Sequence, residues 1–252
     1  MHIEIDGRPV PDESLRTPAL DNYGHFTAMQ VRDGRVRGLG LHLARLDSST
    51  RELFGAGLDG ERVRELIRHA LDGAGVRDAS TRVYVYWPDG DGTATVMVTV
   101  RPPAVMPDAP QSLMSVPYER PVPHIKHLGG FAQVYYGKAA VRAGFDNALL
   151  TGPGGVIAEG AVTNIAFWDG TSVVWPDAPA LPGITMGLVE PRLPSVRRRV
   201  TLGSLSAYRA VFVSNSQGIA PVRRIDDTEF AVDTDLMRTV AGVYDSTPWD
   251  EI

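Results

Sequence analysis

The chain of 252 residues reads as an α+β protein of two domains, a small N-terminal α/β domain followed by a larger β-rich C-terminal domain. Three observations predict this. The first half alternates strand-like runs with two amphipathic helical stretches. Seven prolines crowd the stretch from Pro102 to Pro123, a density that no helix and few central strands tolerate. Beyond it, short β-runs follow one another with few helices between them. The expected limits are residues 1–117 for the small domain, 118–125 for a linker and 126–252 for the second domain.

The elements follow in order. Ile3 to Ile5 alternates as a strand. Phe26 to Val31 turns at Asp33-Gly34 into Arg35 to Leu39, the turn chemistry of a hairpin. Leu43, Leu46, Leu53 and Phe54 recur at helical spacing in a helix that ends near Gly55 to Gly57, and Val63, Leu66, Ile67 and Ala70 mark a second helix over Glu61 to Leu71. Strands Arg82 to Trp87 and Thr93 to Arg101 flank a turn at Asp89-Gly90-Asp91-Gly92. In the second half a helix is expected near Ala132 to Ala143. Strands are expected over Asn147 to Leu150, Val156 to Ala158, Thr163 to Trp168, Ser172 to Trp175 and Ala210 to Val213. Arg197-Arg198-Arg199 is expected to be a solvated turn, and Ser246 to Ile252 a peripheral arm.

Composition narrows the chemistry. A formal charge of -5 and scattered arginines argue against a nucleic-acid binder. With no cysteine, disulfides, thiolate catalysis and cysteine-ligated metals are excluded. His124 and His127 bracket Lys126 without a carboxylate cluster, so no metal is expected. No window approaches a membrane span and the N-terminus lacks signal-peptide character, so the expected location is cytoplasmic.

Only two lysines, Lys126 and Lys138, stand against twenty-three arginines. Arginine cannot replace lysine where a primary amine must lose its proton and form an imine. Lys138 lies in an Ala/Val/Arg helix and reads as a remnant of a lysine-poor composition. Lys126 sits in the loop Pro123-His124-Ile125-Lys126-His127-Leu128-Gly129-Gly130. It is followed at intervals by Glu159-Gly160-Ala161-Val162-Thr163-Asn164-Ile165, by Leu181-Pro182-Gly183-Ile184-Thr185 and by Ser214-Asn215-Ser216.

That spacing, together with His42-Leu43-Ala44-Arg45-Leu46 upstream, resembles the class IV aminotransferases. This fold-type IV family of pyridoxal-phosphate enzymes includes branched-chain and D-amino-acid aminotransferases, R-selective amine transaminases and 4-amino-4-deoxychorismate lyases. The resemblance runs from about Phe26 to Val222 and implies a D-amino-acid aminotransferase-like fold and a homodimer. It also implies pyridoxal 5′-phosphate held by Lys126 as a Schiff base, with Lys126 then moving the proton of substrate Cα. Glu159 matches the carboxylate facing the pyridine nitrogen. Arg45, the N–H groups of Ile184 and Thr185, and Asn215 with Ser216 match the phosphate ligands, and Asn164 belongs to the cofactor site.

The implied substrates are a small amino donor and a keto acceptor. Departures within the resemblance mark the substrate side. Phe131 stands where branched-chain enzymes have a tyrosine, and Thr27 follows Phe26 as in the lyases. Ile125-Lys126-His127-Leu128 and Gln133-Val134 are also lyase-like. Tyr84, Tyr86 and Trp87 offer an aromatic wall on a strand expected to lack an inward arginine. The preferred reading is amino transfer. The alternatives are the lyase reaction, releasing pyruvate and 4-aminobenzoate, and an inactive dimeric binding protein.

Overall fold

The computed structural model describes residues 1–10, 15–87 and 94–252, so the expected turn at Asp89 to Gly92 lies outside the described residues. The described chain forms two compact units. The first comprises Met1–Ala104, Ile125–Gly129 and Pro248–Ile252, and the second Val105–His124 and Gly130–Thr247.

In the first unit β1 (His2–Ile5), β2 (Arg8–Pro9), helix α1 (Arg16–Leu20), β3 (Gly24–Arg32), β4 (Arg35–Arg37), helices α2 (Leu39–Phe54) and α3 (Gly60–Ala74), β5 (Ala79–Tyr86) and β6 (Thr95–Arg101) follow in order. The hairpin turn of β3 and β4 is made by Asp33 and Gly34, both at positive φ, as a two-residue connection requires. The strands pair antiparallel in the order β4-β3-β5-β6-β1-β2, with a C-terminal strand, Trp249–Glu251, added beside β4. The expected peripheral arm is therefore part of the sheet. Ile252 enters the hydrophobic core, and Asp250 Oδ2 accepts from the Leu39 N–H at 2.8 Å, satisfying a donor at the start of α2.

Alternation decides what each strand face meets. His25, Thr27, Met29 and Val31 of β3 are buried, as are Val83 and Val85 of β5, while the intervening residues are partly open. Met29, Val31, Val83 and Val85 share one core with Leu39 and Leu46 of α2 and Val63 and Ile67 of α3. At roughly 1.5–3 kcal/mol for each fully buried large aliphatic side chain, that core holds the helices against one face of the sheet.

The second unit contains β7 (Gln111–Pro117), α4 (Phe131–Arg142), β8 (Asn147–Gly152), β9 (Val156–Gly160), β10 (Asn164–Trp168), β11 (Val173–Pro176), α5 (Ile184–Val189), β12 (Ser195–Arg198), β13 (Ala210–Asn215), β14 (Gly218–Ile225), β15 (Thr228–Glu229) and α6 (Thr234–Asp245). Its sheet runs β12-β11-β10-β13-β14-β7-β8-β9, with β15 added beside β14. Odd and even residues of β10 and β13 feed different cores. Phe167, Val211 and Val213 enter one, while Ala166, Ala210 and Phe212 pack with Val189, Leu236 and Val240 of α5 and α6.

Two expectations fail here. The proline-dense stretch contains a central strand, because β7 lies between prolines and pairs parallel with both β14 and β8. The units consequently divide near residue 104, and Lys126 groups with the first unit, which differs from the expected limits of 117 and 126. The triple arginine is not a turn either. Arg197 and Arg198 lie in β12, where Arg197 forks onto Glu190 with two 2.7 Å bonds.

Candidate active site

In the first unit, residues Ile125–Gly129 lie along β3. The Phe26 N–H donates to Lys126 O at 2.8 Å, the Leu128 N–H donates to Gly24 O at 2.9 Å, and His25 bridges His127. Gly24 makes the approach feasible. Its φ is +155°, and a Cβ there would stand 2.5 Å from Val85 O and 3.1 Å from the Leu128 side chain. The Lys126 backbone is thus fixed by the strand beside it.

Its amine sits over the Phe26 ring, with Nζ 4.8 Å from the centroid, a cation–π distance. Phe26 stacks on Tyr84 at 5.3 Å, and the Arg82 guanidinium lies 5.8 Å from the same Phe26 ring with Nη1 3.4 Å from Tyr84 Oη. The strand expected to lack an arginine on this side therefore carries one. Val83 and Val85 occupy the core face of β5, so Arg82 and Tyr84 fall on the opposite face, the one that Phe26 and Lys126 use.

Thr27 faces the other way. It is fully buried, and its Oγ1 accepts from Arg45 Nη2 and lies 2.6 Å from His42 Nδ1. Guanidinium only donates, so the Thr27 hydroxyl proton is left for Nδ1 of a neutral His42. Burial, with Arg45 adding to it, pushes the His42 pKa down to about 3. The same logic holds for His25, whose pKa burial and then Arg45 lower to about 4. Thr50 Oγ1 donates to Leu46 O at 2.7 Å and so accepts from His25 Nε2 at 2.9 Å. Thr27 is consequently a support for Arg45 and not an open substrate group.

The remaining expected substrate residues separate. Tyr86 is buried, and burial, then Asp6, pushes its hydroxyl up to about 12. Trp87 packs against Phe54 of α2, with centroids 5.4 Å apart. Phe131 is 80% exposed at the start of α4 and stacks on Tyr135. Of the expected aromatic wall, Tyr84 alone meets the ring beneath Lys126.

In the second unit, Glu159 is buried on β9 beside Arg120, a residue the sequence reading did not single out. Arg120 Nε stands 3.6 Å from Glu159 Oε1, and the two side chains are only 9% and 6% exposed. Glu159 Oε2 accepts from the Leu181 N–H at 3.3 Å. With the Gln133 amide turned so that its oxygen faces Arg120, that oxygen accepts from Nε at 2.9 Å and from Nη2 at 3.3 Å. The signal for Arg120 was an arginine inside Pro117-Tyr118-Glu119-Arg120-Pro121, where prolines fix the backbone around a charge.

Asn164 shapes the loop ahead of α5. Its Nδ2 donates to Leu181 O at 2.7 Å, and a Cβ on Gly183 would overlap its Oδ1, so only glycine fits there. The helix then begins at Ile184, leaving the Ile184 and Thr185 N–H groups without intrahelical acceptors. Thr185 Oγ1 donates to Asn215 O at 2.7 Å, which joins this helix start to the turn at Asn215-Ser216. The Asn215 side chain is used on the turn itself, accepting from the Gln217 N–H at 2.8 Å and donating to Val162 O at 3.3 Å. Two turns and a helix start linked in this way offer backbone donors suited to an anion.

A β-rich unit with linked anion-type turns and a buried carboxylate, in a chain that also fixes a lysine beside a strand, defines a two-unit α+β fold. The family model described as amino-transferase class IV matches residues 24–225, and the chain belongs to that family. Solved structures share the fold. A hypothetical aminotransferase from Mycobacterium tuberculosis in a PLP-bound form superposes with a TM-score of 0.83 at 17% identity, covering 98% of each chain. The branched-chain amino acid aminotransferase of Escherichia coli gives 0.83 at 18%, covering 98% of this chain and 94% of its own. A protein from Legionella pneumophila described as a candidate 4-amino-4-deoxychorismate lyase gives 0.82 at 17%, covering 92% and 93%. No curated protein matches the chain. Among the described residues no helix is long and apolar enough to cross a membrane.

Proposed function

We propose that this chain uses pyridoxal 5′-phosphate to move an amino group between an amine or amino acid and a keto acid or ketone. The observation that carries the reading is the Lys126 amine, set over Phe26 by a backbone hydrogen-bonded to β3, in a chain of the class IV family.

The donor set fits such a cofactor. In the second unit the N–H groups of Ile184 and Thr185, with Ser216, would hold the phosphate, and Glu159 would face the ring nitrogen; Arg45 is a phosphate ligand on the family resemblance alone. Asn164 and Asn215 serve by holding these turns. Bound cofactor supplies an electron sink for the pair left when a Cα proton departs. Lys126 would hold the cofactor through its amine and would accept and return the substrate Cα proton. Phe26 keeps the amine on one face of β3, beside Tyr84 and Arg82. A guanidinium there supports a substrate that carries a carboxylate.

The test is direct. Protein loaded with pyridoxal phosphate and treated with borohydride is expected to carry the cofactor mass on the Lys126 peptide, and pyruvate with an amino donor is expected to yield alanine. The lyase is the second reading, favoured by Thr27 after Phe26 and by Gln133; 4-aminobenzoate from aminodeoxychorismate, without alanine, would establish it. No attachment and neither product would leave a dimeric binding protein. A homodimer belongs to the reading, and the exposed Phe131, Val134, Tyr135 and Val141 of α4 support a covered face, with sedimentation as the check.

A further inference from the structure

The arginines of the first unit's sheet lie far apart in the sequence, and strand parity gathers them. Its strands carry Arg8, Arg32, Arg35, Arg37, Arg82 and Arg101. Residues directly opposite one another in a ladder share a face. One row crosses the sheet as Phe26, Tyr84, Met97, Ile5 and Arg8. The next row contains Ala28, Arg82 and Thr99, and the one after it Gln30, Ser80 and Arg101. Arg32 stands opposite Arg35, and Arg37 follows Arg35 by two residues, so both keep the same side. Every arginine of these strands therefore lies on the face of Phe26, the ring beneath the Lys126 amine.

The carboxylates divide the other way. Glu4 and Asp250 stand opposite the core residues Val98 and Val36 and so face the helices. Of the acids on these strands only Glu251 joins the arginines, with its Oε1 3.5 Å from Arg35 Nη2. The chain as a whole carries a formal charge of -5. The face that bears the amine thus has the opposite sign to the protein around it.

A cationic wall of this kind raises the local concentration of anions and their rate of association. The attraction scales with the product of the charges, so each further negative charge on a ligand gains as much as the first. Arg8 and Arg101 are exposed, and by strand spacing they stand roughly 15–20 Å from Phe26. That is too far to touch a small ligand at the amine. It is well inside the Debye length of about 30 Å at ~10 mM salt.

We propose that this arginine face selects small molecules bearing two or more negative charges and steers them to the Lys126 amine, with Arg8 and Arg101 acting through their field. The inference rests on the proposed function only in taking that amine as the reactive group.

The test uses cofactor-free protein and three aldehydes of rising charge: benzaldehyde, 4-carboxybenzaldehyde and 5-formylisophthalate. Each imine is trapped with cyanoborohydride, and labelling of the Lys126 peptide is read by mass. Dividing by labelling of Lys138 cancels the intrinsic reactivity of each probe. At ~10 mM salt the dianion is expected to label Lys126 about tenfold faster than the neutral aldehyde on this scale, and the preference should vanish near ~1 M salt. Arg8→Gln with Arg101→Gln is expected to lower the dianion rate about two- to fivefold and leave the neutral rate unchanged. Arg8→Lys with Arg101→Lys should restore it, since charge and not shape is at work.

A dianion preference that ignores salt, or is absent, overturns the proposal, and this readout needs no variant to fold. An unchanged preference in the folded glutamine variant removes Arg8 and Arg101 from the role. If the neutral aldehyde labels Lys126 no faster than Lys138, the reading of Lys126 as the reactive amine fails instead, and the charge and salt dependence of the labelling still decides the face.

Discussion

The two faces of β3 treat polar side chains in opposite ways. On one face the Phe26 ring lies under the Lys126 amine and is also met by Arg82 and Tyr84, and these β3 and β5 residues remain partly open. On the other, His25, Thr27, His42 and Thr50 are buried, with proton positions that the geometry determines one by one. A reactive amine needs room to exchange partners. A support needs every donor matched, because an unmatched buried group costs about 1–3 kcal/mol. The strand therefore separates chemistry from its scaffold by residue parity alone.

The comparison breaks most visibly at Lys126. Lys126→Ala is expected to abolish borohydride-stable attachment and to lower the amino-transfer rate by about 10²–10⁴-fold from the lost proton transfer alone. Lys126→Arg should do no better, since guanidinium stays protonated. Lys138→Arg, on an exposed position of α4, should leave the rate unchanged. Equal rates for Lys126→Ala and the unaltered protein would remove the amine from the chemistry.

The buried face should fail in acid. His25 and His42 have folded pKa values near 4 and 3, below the ordinary 6.5, so they remain neutral while their unfolded counterparts take up protons. Their stabilisation is present above pH 6.5 and drains as pH falls toward the folded values. Between pH 7.5 and 5 each should remove about 2 kcal/mol. Urea midpoints across that interval provide the measurement, and a His42→Asn variant should flatten the slope by about half.

Much of this was legible in the sequence, and the failures have physical causes. Periodicity announced α2, α3 and the hairpin. It could not announce β7, whose place is decided by β8 and β14, partners that lie far away in the chain. Spacing and family resemblance marked Lys126, Glu159 and the turn at Gly183. Thr27 and Arg82 were misread because strand parity was not followed through. With Met29 and Val31 pointing to the core, Thr27 must point there too, and with Val83 and Val85 inward, Arg82 must join Tyr84 outside. Arg120 was marked locally only as a charge between prolines, and its contact with Gln133 across the second unit could not be read from either segment.

Thr27→Val sharpens the contrast at smaller scale. The change keeps shape but removes the acceptor for Arg45 and the donor to His42, so about 1–3 kcal/mol of stability should go. The melting temperature is then expected to fall by a few degrees, at roughly 2–4 °C per kcal/mol for a chain of this size. Cofactor affinity should weaken as Arg45 loses its support, with no change in the pH at which the Lys126 amine reacts.

Phe26→Leu tests the open face with the smallest expected effect. The ring attracts the charged form of the amine by about 0.5–1 kcal/mol at a partly exposed site, and its stack on Tyr84 adds a similar amount to stability. Leucine retains the apolar bulk and removes both. The Lys126 amine, no longer favoured as a cation, should react with an acylating probe about two- to fivefold faster at neutral pH, while Lys138 in the same protein serves as an internal standard. A rise at Lys126 alone would assign the ring to the amine. Equal rises at both lysines, or none, would mean that Phe26 acts only by carrying the backbone hydrogen bond to Lys126, and that the two faces of β3 differ in burial but not in chemistry.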